Sequence, residues 1–275
     1  MASARRDDGR VRGALVPRLL LGLGIAFLAL PLAGLVLRVP WSELGTQFAE
    51  PALHRALLLS LSCSLGATLI AGALGFPLAY WLAHGRSARH KLVRVLVVLP
   101  MVVPPVVAGL ALLLAFGRLG LVGAPLEAAT GITLGFTPWA VILAEAFVAL
   151  PFFVLAVESG LRSLDTRYLE VAATLGADPA RRFRSITLPL IAPAVRAGLL
   201  LAWARALGEF GATITFAGNL DGATRTLPLA VYSALESSPE AAIALSLVLI
   251  LIAVLVLLLL RHHWFPAARP AGVAS

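Results

Sequence analysis

Two charged residues, Arg205 and Glu209, stand four apart in an otherwise apolar stretch, and a third, Glu145, stands alone in another. A spacing of four puts Arg205 and Glu209 on one helix face, where an ion pair lowers the cost of placing either in hydrocarbon. Such a pair has two uses: it locks helices together, or it sits at a pore or its gate. The residues leave both open. Gly208 and Gly211 flank the acid and permit close helix contact. Glu145 has no sequence-local partner and is expected to pair with an arginine across helices. A different constellation lies at 170–193, EVAATLGADPARRFRSITLPLIAP, where Arg181, Arg182 and Arg184 surround Phe183. Charge beside an aromatic anchor is interface chemistry. The bland alternative is a solvated loop whose arginines only set topology.

Other chemistries find no support in the chain. ATP-driven work needs a phosphate-cradling G-x-x-x-x-G-K-[ST] loop. The one lysine, Lys91, follows His90 rather than glycine, and no soluble stretch is long enough to hold a nucleotide domain. If ATP powers this protein, another subunit binds it. His262 and His263 adjoin each other beside Trp264 and would point apart on a helix, which suits interfacial anchoring better than a shared metal. His54, His84 and His90 are isolated near span ends, so neither a catalytic nor a metal constellation is expected. The single cysteine, Cys63, can form no internal disulfide and is read as a small buried residue.

The elements that hold these residues are membrane helices. The composition is 60% hydrophobic and only 13% charged, against about 25% charged in soluble domains. The net charge of +8 is spread between apolar runs rather than gathered on a basic face, which argues against nucleic acid as a partner. About 20 apolar residues cross a bilayer. Six spans are expected, at roughly 15–37, 56–83, 93–116, 139–161, 191–217 and 241–260, in one transmembrane domain covering 1–275 with a basic tail at 1–14. The first span is too long for a signal peptide and lacks a clean cleavage site, so it is read as retained. Sixteen basic residues fall in the termini and the loops on their side, and four (Arg38, Arg55, Arg118 and Arg225) on the other, which predicts cytoplasmic termini. Loop 162–190 is then cytoplasmic.

Local signals shape these spans and the loop. Ala67, Ala71 and Gly75 recur every four residues and let another helix approach closely. Pro100, Pro104 and Pro105 break the hydrogen bonding of span three, giving either a kinked packing helix or one that lines a path. In the loop, Asp165 can cap a helix over Thr166–Leu175, Gly176 suits its left-handed end, and Asp178-Pro179 starts a second helix. Two short helices at an angle are expected, with Ile186, Leu188 and Pro189 returning the chain to the membrane.

Glu170, Ala172 and Gly176, followed by Ile186, Leu188 and Pro189, match the pattern E-A-A, three residues, G, nine residues, I-x-L-P, with Val171 in place of the first alanine. This resembles the cytoplasmic signature loop of membrane-spanning subunits in binding-protein-dependent ABC importers. WARALGEFGATITFAGNLDGATRTLPLAVY at 203–232 and LPMVVPPVVAG at 99–109 are similar to the molybdate permease group, and G-E-F-G-A is shared with sulfate permeases. The resemblance implies an all-α, six-span fold of the type I importer kind in the cell membrane. It implies a homodimer, two copies of an ATPase subunit carrying ATP and magnesium, and an extracytoplasmic oxyanion-binding protein. This chain itself would bind no cofactor. The loop residues named above, with Arg181, Arg182 and Phe183, would dock on the ATPase. Pro104, Pro105, Arg205, Gly208, Glu209, Phe210, Gly211 and Thr213 become candidates for the pore or gate. Thr213 and Thr215 offer hydroxyls to an oxyanion, whereas an unpaired Glu209 would repel a dianion and is not assigned as a ligand. The alternatives are a sulfate or thiosulfate permease and a stand-alone ion-coupled transporter using Glu145, Glu209 and Arg205.

Overall fold

The computed structural model describes residues 7–264, with side chains over 17–259. Arg5, Arg6, Arg10, Arg12, Arg261, Arg269 and the His262–His263 pair lie outside the described side chains. The chain is helical: α1 (Asp7–Leu37), α2 (Leu44–Ala49), α3 (Pro51–His84), α4 (Ala88–Val102), α5 (Pro105–Phe116), α6 (Gly123–Thr130) and α7 (Pro138–Arg162) are followed by α8 (Arg167–Thr174) and α9 (Pro179–Arg182). A wide π turn (Phe183–Thr187) leads into α10 (Leu188–Leu207), then α11 (Gly211–Phe216), α12 (Leu227–Ser237) and α13 (Pro239–Trp264). Proline opens α3, α5, α7, α9 and α13, where its missing N–H would have had no helical partner anyway. Among the described residues five helices are long and apolar enough to cross a bilayer, and the α4–α5 pair adds a sixth if it is one span.

The core is α3, α7 and α10. Lipid is as apolar as leucine, so helices associate by close packing and by polar contacts rather than by hydrophobic exclusion. The small-residue stripe on α3 does this: Ala67, Ala71 and Ala79 are fully buried, and a Cβ on Gly75 would stand 2.7 Å from Phe153 Cδ1 of α7. On α10, Gly198 meets the same Phe153, and Gly160 of α7 faces Ala194 of α10. Trp203 Nε1 donates to Ser64 Oγ at 3.0 Å and ties α10 to α3, while Ser60 Oγ accepts from the Leu227 amide at 2.6 Å and ties α12 to α3. Cys63 is buried and unpaired, as expected, on the neighbouring cluster with α5, α7 and α11. In contrast, α1 leaves nearly all of its described side chains exposed.

Two expected spans are not single helices. Span three turns by 118° between α4 and α5, so it is a broken pair rather than a kinked helix. Pro104 and Pro105 cannot donate the amides that would continue α4, and Pro105 starts α5 at its first position. Span five begins earlier than expected and breaks at Gly208–Phe210 before α11. At both breaks the backbone groups find partners: the Val103 amide donates to Leu99 O, Ala108 to Pro104 O, Glu209 to Ala206 O and Ile214 to Phe210 O. Such satisfaction is the condition for irregular backbone at membrane depth.

Gly160→Ala tests this packing. Its new Cβ would lie 2.4 Å from the Cβ of Ala194, an atom with no rotamer to relax. Overpacking of this kind costs about 1–3 kcal/mol. The midpoint of denaturant or thermal unfolding in detergent is expected to fall, whereas Gly22→Ala, which meets nothing within 4 Å inside α1, does not lower it. Equal midpoints for the two variants would contradict the packing.

Candidate coupling loop and broken-helix site

The loop leaves α7 at Arg162. Asp165 Oδ1 accepts from the Arg167 amide at 3.0 Å, but α8 begins at Arg167 with Thr166, not Asp165, in the cap position. Gly176 has φ +80°, and the Ala177 amide closes back on Ala172 O at 2.9 Å, so the left-handed glycine ends α8. Asp178 Oδ1 then accepts from the Arg181 amide at 2.9 Å, with Pro179 at the first helical position. The second helix is not separate, however. From α9 the backbone passes through the π turn directly into α10, so Ile186, Leu188 and Pro189 lie on the inserted helix itself. The Leu188 amide donates to Phe183 O, five residues back. The wider turn shifts the hydrogen-bond register just before Pro189, which has no N–H to give.

The loop carries a face that the arginines had obscured. Tyr168 and Val171 on α8 and Leu175 at its C-terminal cap recur at helical spacing and are exposed, Leu175 by 81%. Glu170 beside them is exposed and Ala172 is half-buried. Among the described residues nothing of its own chain covers this face, and an uncovered apolar patch rimmed by polar residues is of the kind that marks interaction sites. Spacing of three and four in Y-L-E-V-A-A-T-L was the signal that could have found it. Arg181 and Arg184 are exposed, and Arg182 is half-buried with Nε lacking a partner. Phe183 corrects the expectation of an aromatic offered to a partner. Its ring turns inward, edge-on to Phe76 at 6.1 Å and to Tyr80 at 5.8 Å, both on α3.

At the root of the loop lies a buried carboxylate that sequence reasoning missed. Glu158 on α7 is 3% exposed. Its Oε1 accepts from Arg162 Nε at 2.8 Å and from the guanidinium of Arg94 on α4. Arg162 also donates to the Leu82 carbonyl near the end of α3 at 2.7 Å. The Glu158–Arg162 spacing of four is readable locally, but Arg94 is 64 residues away.

The pore candidates gather where the two breaks meet. A Cβ on Gly211 would lie 2.6 Å from Pro105 Cβ, and one on Gly109 would lie 2.7 Å from Ala212 O, so α5 and α11 touch nearly backbone to backbone. Gly109 also escaped the sequence reading. Arg205 and Glu209 form the expected ion pair at 2.6 Å, with Glu209 only 2% exposed. The other oxygen of Glu209 accepts from the Ala212 amide at 2.7 Å and so caps α11. The pair therefore holds the break together. Pro104, Pro105 and Gly208 are exposed beside it, Phe210 packs on Tyr232 with centroids 5.2 Å apart, and Gly211 is buried. Thr213 is buried with its hydroxyl unpartnered, whereas Thr215 donates to Gly211 O. Glu145 does not find the arginine expected for it: it is 1% exposed on α7 and its Oε2 has no partner. Among the described residues it forms no ion pair, while Arg205 is paired with Glu209.

At the other end of α3, Arg55 binds Asp221 at 3.0 Å and holds its carboxyl below the usual carboxylate range, chiefly through that hydrogen bond. Arg225 donates to the Asn219 side chain and Arg118 to Glu127. His84 bonds the Tyr80 carbonyl, and His90 stacks on Trp81 and meets Ser87 Oγ at 2.7 Å. Among the described residues no three His, Cys, Asp or Glu side chains converge as a metal site would require.

Comparison with known proteins agrees with this architecture. Residues 75–264 match the family described as binding-protein-dependent transport system inner membrane component. The molybdenum transport system permease protein ModB of Mycobacterium tuberculosis (strain ATCC 25618 / H37Rv) is 48% identical over 222 residues, covering 81% of this chain and 84% of that protein. The protein of the same name from Escherichia coli (strain K12) is 41% identical over 183 residues, covering 66% and 80%. Among solved structures, a bacterial ABC transporter involved in the import of the acidic polysaccharide alginate superposes with a TM-score of 0.71 at 19% identity, covering 93% of this chain and 95% of that one. An inward-facing MetNI methionine ABC transporter superposes with a TM-score of 0.60 at 18% identity, covering 75% and 92%. These likenesses place the fold with the type I importer permeases. The chain belongs to the family of binding-protein-dependent transport system inner membrane components, multi-pass proteins of the cell membrane, and within it groups with the molybdenum transport system permease proteins.

Proposed function

We propose that this chain is the permease subunit of an ATP-driven importer that carries molybdate into the cytoplasm by alternating access. The observation that carries the reading is the α8 face, Tyr168, Val171 and Leu175, standing uncovered beside Glu170 on the loop with the E-A-A spacing. A face of this kind needs a partner, and the sequence has no P-loop of its own, so the motor is a separate ATPase. The names of the relatives support molybdenum as the cargo element. The charge bias of the loops supports cytoplasmic termini and a cytoplasmic α8.

In this reading two copies of the chain enclose the path, and each docks one ATPase through α8. Closure of the ATPase pair on ATP and magnesium draws the two loops together, and the inserted helices open the path outward. Hydrolysis restores the inward-open state. Specificity rests mainly with an extracytoplasmic oxyanion-binding protein, because a path that held its cargo tightly would not release it. Arg205 and Glu209 neutralise each other and cap α11, so the dianion meets no unpaired acid from that pair. The same pairing disfavours a stand-alone ion-coupled transporter, whose relay would need Arg205 and Glu209 free.

Leu175→Glu should leave the fold intact, since exposed substitutions usually shift stability by no more than about 0.5 kcal/mol. Capture of the ATPase by the purified variant is expected to weaken about tenfold or more, the cost of losing an apolar anchor at an interface. ATPase capture equal to that of the unaltered chain would remove α8 from the interface. Asp178→Ala removes the cap of α9 and is expected to cost about 1 kcal/mol, read from the unfolding midpoint. For the cargo, vesicles holding the chain, the ATPase and the binding protein should accumulate labelled molybdate only with ATP. Tungstate should compete better than sulfate. Preferential competition by sulfate would move the chain to the sulfate group.

A further inference from the structure

The proposed import cycle needs motion at α8 to reach the two broken spans, and the structure contains one buried group through which that motion can pass. Glu158 is a carboxylate 3% exposed, and a single oxygen of it accepts from two arginines, Arg162 at the start of the loop and Arg94 on α4. Arg162 further binds Leu82 O, one of the last carbonyls of α3, which a helix end leaves without an intrahelical donor. The far end of the loop is held to the same helix, because Phe183 sits edge-on against Phe76 and Tyr80. Both ends of the loop are thus fixed to α3, and its root is fixed to α4.

These attachments lead to the breaks. Beyond Arg94, α4 runs to Pro104 and the 118° turn into α5. Beyond Phe183, the continuous helix runs through α10 to the break at Gly208. The two breaks are in turn packed on each other through Pro105 and Gly211 and through Gly109 and Ala212. A displacement of α8 is delivered through α4 to one side of this contact and through α10 to the other.

We propose that Glu158 is a positioning residue for energy coupling: by holding Arg162 and Arg94 on one carboxylate, it makes the inner ends of α3, α4 and α7 move with the docking loop as one body. The inference rests on the importer reading above. Buried charge suits this use better than apolar packing would. Two charge-assisted bonds converge on one oxygen and tie the two arginines to a common point, and half-exposed arginine stems let the knot shift without unfolding the helices around it. Glu158→Gln keeps the shape and one accepting oxygen but removes the charge that strengthens both arginine bonds. Glu158→Asp keeps the charge with a side chain one methylene shorter.

The test reconstitutes the chain with its ATPase and binding protein and measures molybdate uptake and ATP hydrolysis in the same vesicles. For Glu158→Gln, ATPase capture and basal hydrolysis are expected to match the unaltered complex, while uptake per ATP falls about tenfold. Glu158→Asp is expected to restore most of that ratio. If Glu158→Gln does not assemble, Arg94→Gln decides, since it leaves the Arg162 arm intact and frees only α4; its uptake per ATP should also fall. An unchanged ratio in Glu158→Gln, or in Arg94→Gln where that variant decides, overturns the proposal, as does a loss that Glu158→Asp fails to restore. Failure of the importer reading is distinguishable, because the unaltered chain would then show no ATP-driven uptake at all.

Discussion

Hydrocarbon offers no hydrogen bonds, and this one constraint governs how the chain can depart from straight helices. At both breaks, backbone groups find partners from within the protein. The carboxylate of Glu209 carries most of that burden at the second break, since one oxygen binds Arg205 and the other caps the Ala212 amide. At the first break, prolines remove donors and the carbonyl of Pro104 is taken by Ala108. Because both breaks are satisfied internally, their backbones can pack together at Gly109 and Gly211 without water. That contact joins α5, the second half of one broken span, to α11, the second half of the other, and leaves Pro104, Pro105 and Gly208 exposed.

The loop obeys the opposite rule. It lies among polar residues, so its backbone can turn on the side chains of Asp165 and Asp178 and on the left-handed Gly176. What it does not bury is the face of Tyr168, Val171 and Leu175. Apolar side chains left uncovered on a polar loop are the feature on which the proposed partner contact rests. The fixed points on either side, Arg162 and Phe183, make the loop part of the helical bundle rather than an independent flap.

The features legible in the sequence were those set by neighbours in the chain. Spans followed from apolar length, the stripe of Ala67, Ala71 and Gly75 from its period, and the caps at Gly176 and Asp178 from local chemistry. The Arg205–Glu209 pair followed from a spacing of four. What escaped depends on distant partners. Proline at 104 and 105 predicts a disturbance, but whether the helix kinks or folds back is decided by the glycine contact from α11. Phe183 read as an exposed anchor because Phe76 and Tyr80 lie a hundred residues earlier. Glu145 has no arginine partner, which no local spacing could reveal, and Glu158 was overlooked because Arg94 comes from another helix. The α8 face was readable in principle, and the neighbouring arginines drew attention from it.

The central claim is that α8 is where a separate ATPase grips this protein. A photo-reactive amino acid at Leu175, activated in intact cells, tests it most directly, with Trp41 near the opposite end of α3 as the control. The account predicts a covalent adduct between Leu175 and a P-loop ATPase subunit, identified by mass, and no such adduct from Trp41. Capture of lipid alone at Leu175, or of the ATPase equally from both sites, would contradict it.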